Sequence, residues 1–325
     1  MAQIDKSKPV LVTGATGYVA GWLVKKLLDE GMTVHAAVRN PDNEKKVAHL
    51  NKAVSEAKGS IKYFKSDLLK EGSYAEAMAG CELVYHTASP FITNVQDPQR
   101  DLVDPAVKGT QNVLETASKT PSVKRVVVTS SCAAIYGDAI DIKSAPNGIL
   151  TEDVWNTSSS LSYQPYSYSK TLAEKKAWEI SETQSHWDLV IVNPSFVMGP
   201  PLNPQSNTSE SQSVLKQLGD GTMKMGAPKM GVGVVDVRDL AEAHYQAGFN
   251  SEARGRHIAS GTNTDFLEMG QVLLPKYGDK YPLPKKALPK WLLMIVGPLM
   301  NKSLTRQFIR NNMNNIHTNR MPFHI

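Results

Sequence analysis

The sequence predicts an α/β protein, a doubly wound parallel sheet followed by a smaller mixed C-terminal lobe. Three observations lead there. Short apolar runs alternate with amphipathic helix-length stretches as far as Val192. That is the pattern of β-α-β units, whose parallel strands are covered by helices on both faces. A glycine-rich turn follows the first apolar run, and after Asn193 the alternation gives way to Pro-rich, polar and Gly/Met-rich segments.

The elements follow in order. Residues 10–12 form the first strand, and 18–30 an amphipathic helix stopped by Gly31. Strand 33–38 is followed by helix 43–58, strand 61–64 by a short helix at 73–79, and strand 83–86 by a long helix near 102–118. Residues 125–130 lead through an insertion to a helix at 166–182 and a strand at 189–192. Beyond it lie four prolines (Pro194, Pro200, Pro201 and Pro204), a polar tract at 205–213 and a Gly/Met-rich segment at 219–233. A helix at 238–249, a strand at 256–260 and a Pro/Lys-rich region at 282–290 complete the chain's readable order. The expected division is a core at 1–193 and a lobe at 194–325, with some late elements returning to the core sheet.

Composition removes several function classes. The 325 residues carry 36 Lys+Arg against 31 Asp+Glu, a formal charge of +5, and the basic residues are scattered rather than gathered into a nucleic-acid-binding stripe. Cys81 and Cys132 are too few for a disulfide framework, and with no Cys-x-x-Cys or His-x-x-x-His pair no metal site is expected. No apolar segment precedes Val10, and the apolar stretch at 291–300 is half the ~20 residues a bilayer span needs. No membrane partner is expected, and the expected location is cytoplasmic.

Residues 13–20 read TGATGYVA, placing small residues at Gly14, Gly17 and Ala20. Such a turn lets the chain reverse sharply, brings backbone close to a pyrophosphate and opens a helix whose N–H groups face the phosphates. Thr13, Thr16, Tyr18 and Val19 belong to the same turn. The second strand then ends at Arg39, where an NAD-binding chain places a carboxylate for the ribose 2′-hydroxyl. An arginine there fits a 2′-phosphate instead, so NADP(H) is the expected cofactor.

A Tyr-x-x-x-Lys spacing arises about once by chance in a chain of this composition, and two occur here. Tyr281 and Lys285 are separated by Pro282 and Pro284, which break the helix needed to put both on one face. Tyr166 and Lys170 open a good helix, where the Lys ammonium favours ionisation of the phenol and prepares it as a proton donor. Ser131, at the carboxyl end of the fifth strand, is the candidate to hold a carbonyl oxygen; Ser130 and Thr129 remain alternatives.

Together with Asp67-Leu68 and Asn193-Pro-x-x-x-x-Gly-Pro200, these motifs resemble the extended short-chain dehydrogenases/reductases, built on the Rossmann fold. The stretch at 38–50 is most similar to the group of dihydroflavonol 4-reductases, cinnamoyl-CoA reductases and microbial aldehyde/ketone reductases. The resemblance spans about residues 8–260 and implies Ser131, Tyr166 and Lys170 as catalytic residues, with Lys170 also on the nicotinamide ribose. It implies Arg39 and Lys46 at the 2′-phosphate and Asp67 and Leu68 beside the adenine. Thr87, Ala88, Ser89 and Thr129 would line the cofactor, and Pro194, Ser195 and Val197 would lie near the nicotinamide. The implied activity is NADPH-dependent reduction of small-molecule aldehydes or ketones by a monomer or homodimer, with a nucleotide-sugar epimerase/dehydratase or a non-catalytic NADP-sensing regulator as the alternatives. Phe91, Tyr136, Met198, Met223 and Met225 would form an apolar substrate wall. Three positions depart from the group. Ala106 replaces an asparagine, Tyr136 replaces the Asn or Asp that meets flavonoid ring hydroxyls, and the last 15 residues lack the expected Lys-rich Leu-Gly segment.

Overall fold

The computed structural model describes residues 3–89, 95–203, 210–300 and 303–313. Its strands are β1 (Val10–Thr13), β2 (Thr33–Val38), β3 (Ser60–Lys65), β4 (Leu83–His86), β5 (Arg125–Thr129), β6 (Asp188–Pro194), β7 (Phe196–Met198), β8 (Gly231–Asp236), β9 (Gly255–Ala259) and β10 (Thr262–Asp265). The helices are α1 (Tyr18–Asp29), α2 (Glu44–Ser55), α3 (Ala75–Met78), α4 (Asp104–Ser118), α5 (Pro165–Glu182), α6 (Glu210–Gly219), α7 (Val237–Phe249), α8 (Phe266–Tyr277), α9 (Lys290–Met300) and α10 (Arg306–Asn312).

Seven of these strands form one sheet in the order β3-β2-β1-β4-β5-β6-β9, and all its pairings are parallel. The period-2 pleat sends successive apolar side chains to opposite faces. Val10 and Val12 pack with Leu23, Leu27 and Leu240 from α1 and α7. Leu11, Val126 and Val128 pack on the other face with Val113, Leu114 and Ala177 from α4 and α5. Both faces are therefore covered, as the near-continuous apolar strands required.

The strand order reverses between β1 and β4, and the carboxyl ends of those strands open the crevice where such sheets take ligands. A three-stranded sheet, β10-β8-β7, stands apart, with β8 parallel to β7 and antiparallel to β10. Two elements beyond residue 193 return to the large sheet: β9 pairs with β6, and α7 packs on α1. The expected helix at 73–79 shrinks to four residues, and the expected 102–118 helix is α from Asp104, led in by a π turn at Gln99–Val103.

Candidate active site

The turn after β1 is built from backbone. Gly14 has φ +64, and a Cβ there would come 3.0 Å from Ala88 Cα. The close approach of the two chains at the crevice therefore requires glycine. Gly14 N–H donates to Ala37 O at 3.0 Å, and Gly17 N–H donates to Gly14 O at 2.8 Å. Gly17 opens α1 without a side-chain cap, so the first helical N–H groups, those of Tyr18 and Val19 included, face outward uncapped. Thr13 is fully buried; its hydroxyl accepts from the N–H groups of Thr87 and Ala88 and contacts His86 Nδ1 at 3.0 Å. Thr13 thereby ties β1 to the chain leaving β4. Thr16, Gly17 and Tyr18 line a cleft whose opposite wall is 201–203 and Gln212. Tyr18 donates to Gly199 O at 2.8 Å, and burial beside Asp236 pushes its phenol up to about 12.

Arg39 and Lys46 are exposed, and the Arg39 guanidinium has no hydrogen bond or ion pair with a described residue. Arg39 and Asp67 both act on the buried Tyr74 phenol, so they frame one corner beside β2. Leu68 is held there by a close fit, since a Cβ on Gly109 would meet Leu68 Cγ at 2.6 Å. Asn112, a position with no motif to mark it, clamps the loop by donating to Leu68 O and Lys70 O.

A second cleft is lined by Ala88, Ser89, Ala106, Thr129, Ser130, Lys170 and Glu174, among others. Lys170 donates to Ser89 Oγ at 2.9 Å, and its ammonium lies 5.7 Å from the centre of the Tyr166 ring, one helical turn away. Burial pushes the Lys170 ammonium down to about 8. Of the three hydroxyls at the end of β5, Thr129 is bonded to His244 Nε2 at 2.7 Å and Ser130 donates to Glu174. Ser131 accepts from Ala133 N–H at 3.1 Å, which leaves its own proton free to be donated. The short turn Cys132–Ala134 that follows packs against α5, bringing Ser131 to the helix of Tyr166 and Lys170. Ser195 Oγ is buried with no hydrogen-bond partner among the described residues. A buried orphan hydroxyl, an uncapped helix start and an unpaired guanidinium at one sheet edge fit a bound dinucleotide.

The NAD dependent epimerase/dehydratase family profile matches residues 10–259. The chain belongs to this family, the extended short-chain dehydrogenases/reductases. It is 40% identical over 289 residues to the cinnamoyl-CoA reductase CAD2 of Medicago truncatula, covering 88% of this chain and 86% of that one. It is 41% identical over 288 residues to tetraketide alpha-pyrone reductase 1 of Arabidopsis thaliana, covering 87% and 85%. Among solved structures, the yeast methylglyoxal/isovaleraldehyde reductase Gre2, complexed with NADPH, superposes with a TM-score of 0.72 at 26% identity, covering 93% of this chain and 96% of that one.

In this short-chain dehydrogenase/reductase the residues expected for the substrate wall lie on several elements. Met198 is half-buried on β7, Met225 is 68% exposed, and Met223 is half-buried in a turn closed by Gly226 N–H. Tyr136 packs on the cluster of Cys132, Ile135 and Leu150. None of these four lines the cleft at Lys170, and Phe91 lies outside the described residues. Pro194 and Val197 belong to β6 and β7 beside Ser195, and the Val197 carbonyl accepts from Ser211.

A buried hub beneath the site was not foreseen. Glu174, one turn past Lys170, is 1% exposed and accepts from Ser130, from Asn193 Nδ2 at 2.8 Å and from Arg256 Nε at 2.6 Å. Asn193 also donates to Ser131 O. Arg256 reaches the carbonyls of Ala134, Glu152 and Val154 and stacks 3.9 Å over Trp155.

Proposed function

We propose that the protein is an NADPH-dependent carbonyl reductase that converts aldehydes or ketones with an apolar or aromatic group into alcohols. The observation that carries this most is the joint placement of Tyr166 and Lys170 on one turn of α5, against the Ser131 turn. Bound NADPH would provide the hydride that the carbonyl carbon accepts. Thr16, Gly17, Tyr18 and Val19 would hold its pyrophosphate on the α1 N-terminus, Arg39 and Lys46 its 2′-phosphate, and Asp67 and Leu68 its adenine. Ser131 donates a hydrogen bond to the carbonyl oxygen, strongest as charge develops there. Tyr166 delivers the proton, and the Lys170 ammonium, charged below about pH 8, stabilises the phenolate left behind. Residues 1–193 would bind cofactor and 194–325 shape the substrate side. Phe91, Tyr136, Met198, Met223 and Met225 are the candidates for that side once substrate is bound. We place the protein in the cytoplasm, as a monomer or homodimer; both cysteines are free and buried, which suits a reducing compartment.

The test is NADPH oxidation against a panel holding isovaleraldehyde, methylglyoxal, cinnamoyl-CoA and an aryl ketone. Turnover with stoichiometric release of NADP⁺ and alcohol is expected. Conversion of a nucleotide sugar with no net cofactor consumption would point instead to an epimerase or dehydratase, against which Arg39 argues.

A further inference from the structure

Gln164 has φ +54 and ψ +55 and stands directly before Pro165, the first residue of α5. A left-handed conformation is costly for any residue with a Cβ, and the proline restricts the residue before it as well. Something must hold Gln164 there. Its side-chain amide donates to Asp138 Oδ1 at 2.7 Å. Asp138 is 2% exposed, and Tyr163 donates to its two oxygens at 2.9 and 3.0 Å. Two further donors come from the far end of the described chain. Asn311 Nδ2 reaches Asp138 Oδ2 at 2.7 Å and Asn312 Nδ2 reaches Oδ1 at 2.6 Å, while Asn312 Oδ1 accepts from Ala139 N–H at 2.8 Å. Among the described residues the donors to this buried carboxylate are neutral, and no cation pairs with it.

We propose that Asp138, Asn311 and Asn312 are positioning residues: helix α10 latches the strained Gln164 and so fixes the first turn of α5, which carries Tyr166. The proposal rests on Tyr166 as proton donor. The physical chain is short. Asn311 and Asn312 satisfy and orient the Asp138 carboxylate, and the carboxylate holds the Gln164 amide. Gln164 in its left-handed state sets the direction in which Pro165 and Tyr166 leave the loop. Without the latch Gln164 relaxes toward extended backbone, and the phenol moves while the glycine turn, at the carboxyl end of β1, does not. A latch of this kind makes the rate of proton delivery depend on residues more than 140 positions from Tyr166 in sequence.

Glycine pays no penalty in the left-handed region, and that gives the proposal a rescue. The Asn311→Ala/Asn312→Ala variant is expected to lose roughly 10- to 100-fold in kcat on the fastest substrate of the panel, the scale of an ångström-level misplacement. Its Kd for NADPH, read by fluorescence titration, should stay at the wild-type value. Adding Gln164→Gly to that variant should recover most of the lost rate, because the turn then forms without the latch. Asp138→Asn serves as a third probe, its circular dichroism and thermal midpoint showing whether it folds. An unchanged kcat in the Asn variant overturns the latch, and so does a loss that Gln164→Gly fails to restore. Tyr166→Phe run alongside separates the two claims. If it is inactive while the Asn variant has wild-type kcat, only the latch fails; if it retains wild-type kcat, the proton-donor role and the latch fall together.

Discussion

The two sides of the crevice are held by different means. At the β1–α1 turn the work is done by backbone: Gly14 in a left-handed conformation against Ala88, and helix N–H groups left uncapped by Gly17. At the base of α5 it is done by side chains, two buried carboxylates that gather donors from distant strands, loops and α10. The first side leaves no room for an added Cβ at Gly14. The second tolerates shape changes poorly, because each carboxylate loses its balance when one donor is removed.

The contrast can be broken at several points, beginning with the largest expected effect. Glu174→Leu leaves Arg256 buried without its partner, an arrangement that costs about 3–5 kcal/mol. A fall in the thermal midpoint of roughly 10 °C is expected for a chain of this size, and an unchanged midpoint would deny the hub its role. If Arg39 holds the 2′-phosphate as proposed, Arg39→Ala removes a charge-assisted contact worth about 1.5–3 kcal/mol. KM for NADPH should rise about 10- to 100-fold while KM for NADH stays put; an equal change in both would remove Arg39 from the phosphate site. Gly14→Ala imposes left-handed strain of about 1–2 kcal/mol and a contact 3.0 Å from Ala88 Cα. It should weaken NADPH binding while leaving the kcat of the saturated enzyme close to wild type, the reverse of the latch variants.

The effects of pH fall outside that order. Burial lowers His86 to about 3 and His244 to about 4 from the usual 6.5. The unfolded chain therefore binds protons that the folded one refuses, and stability is lost as pH falls from about 6.5 toward 4. A thermal midpoint independent of pH across that window would show that neither ring is held neutral. Lys170, lowered to about 8 from 10.5, loses its charge as pH rises. The kcat/KM profile, which reports the free enzyme, should descend near pH 8.

Much of the backbone-built side was legible in the sequence because its parts are local: Gly14 and Gly17 lie in one turn and Arg39 at the end of the next strand. The Tyr166/Lys170 helix was legible for the same reason, and the rival Tyr281/Lys285 match lies in irregular chain after α8, where its prolines put it. The side-chain networks were not legible. Glu174 meets Arg256 across 82 positions and Asp138 meets Asn312 across 174, separations at which no spacing rule applies. Three hydroxyls competed at the end of β5 for the same reason. The commitments of Thr129 to His244 and of Ser130 to Glu174 depend on contacts that only the fold creates. Strand β7, three residues long and half-buried, carries too little pattern to be recognised.

The central claim is that this crevice reduces carbonyls with Tyr166 as the proton donor. Single-turnover oxidation of bound NADPH by a saturating panel aldehyde, wild type against Tyr166→Phe, tests it most directly. A loss of about 10²–10⁴-fold in the rate of that step is expected, with NADPH affinity retained. A Tyr166→Phe enzyme that oxidises NADPH at the wild-type rate would contradict the account.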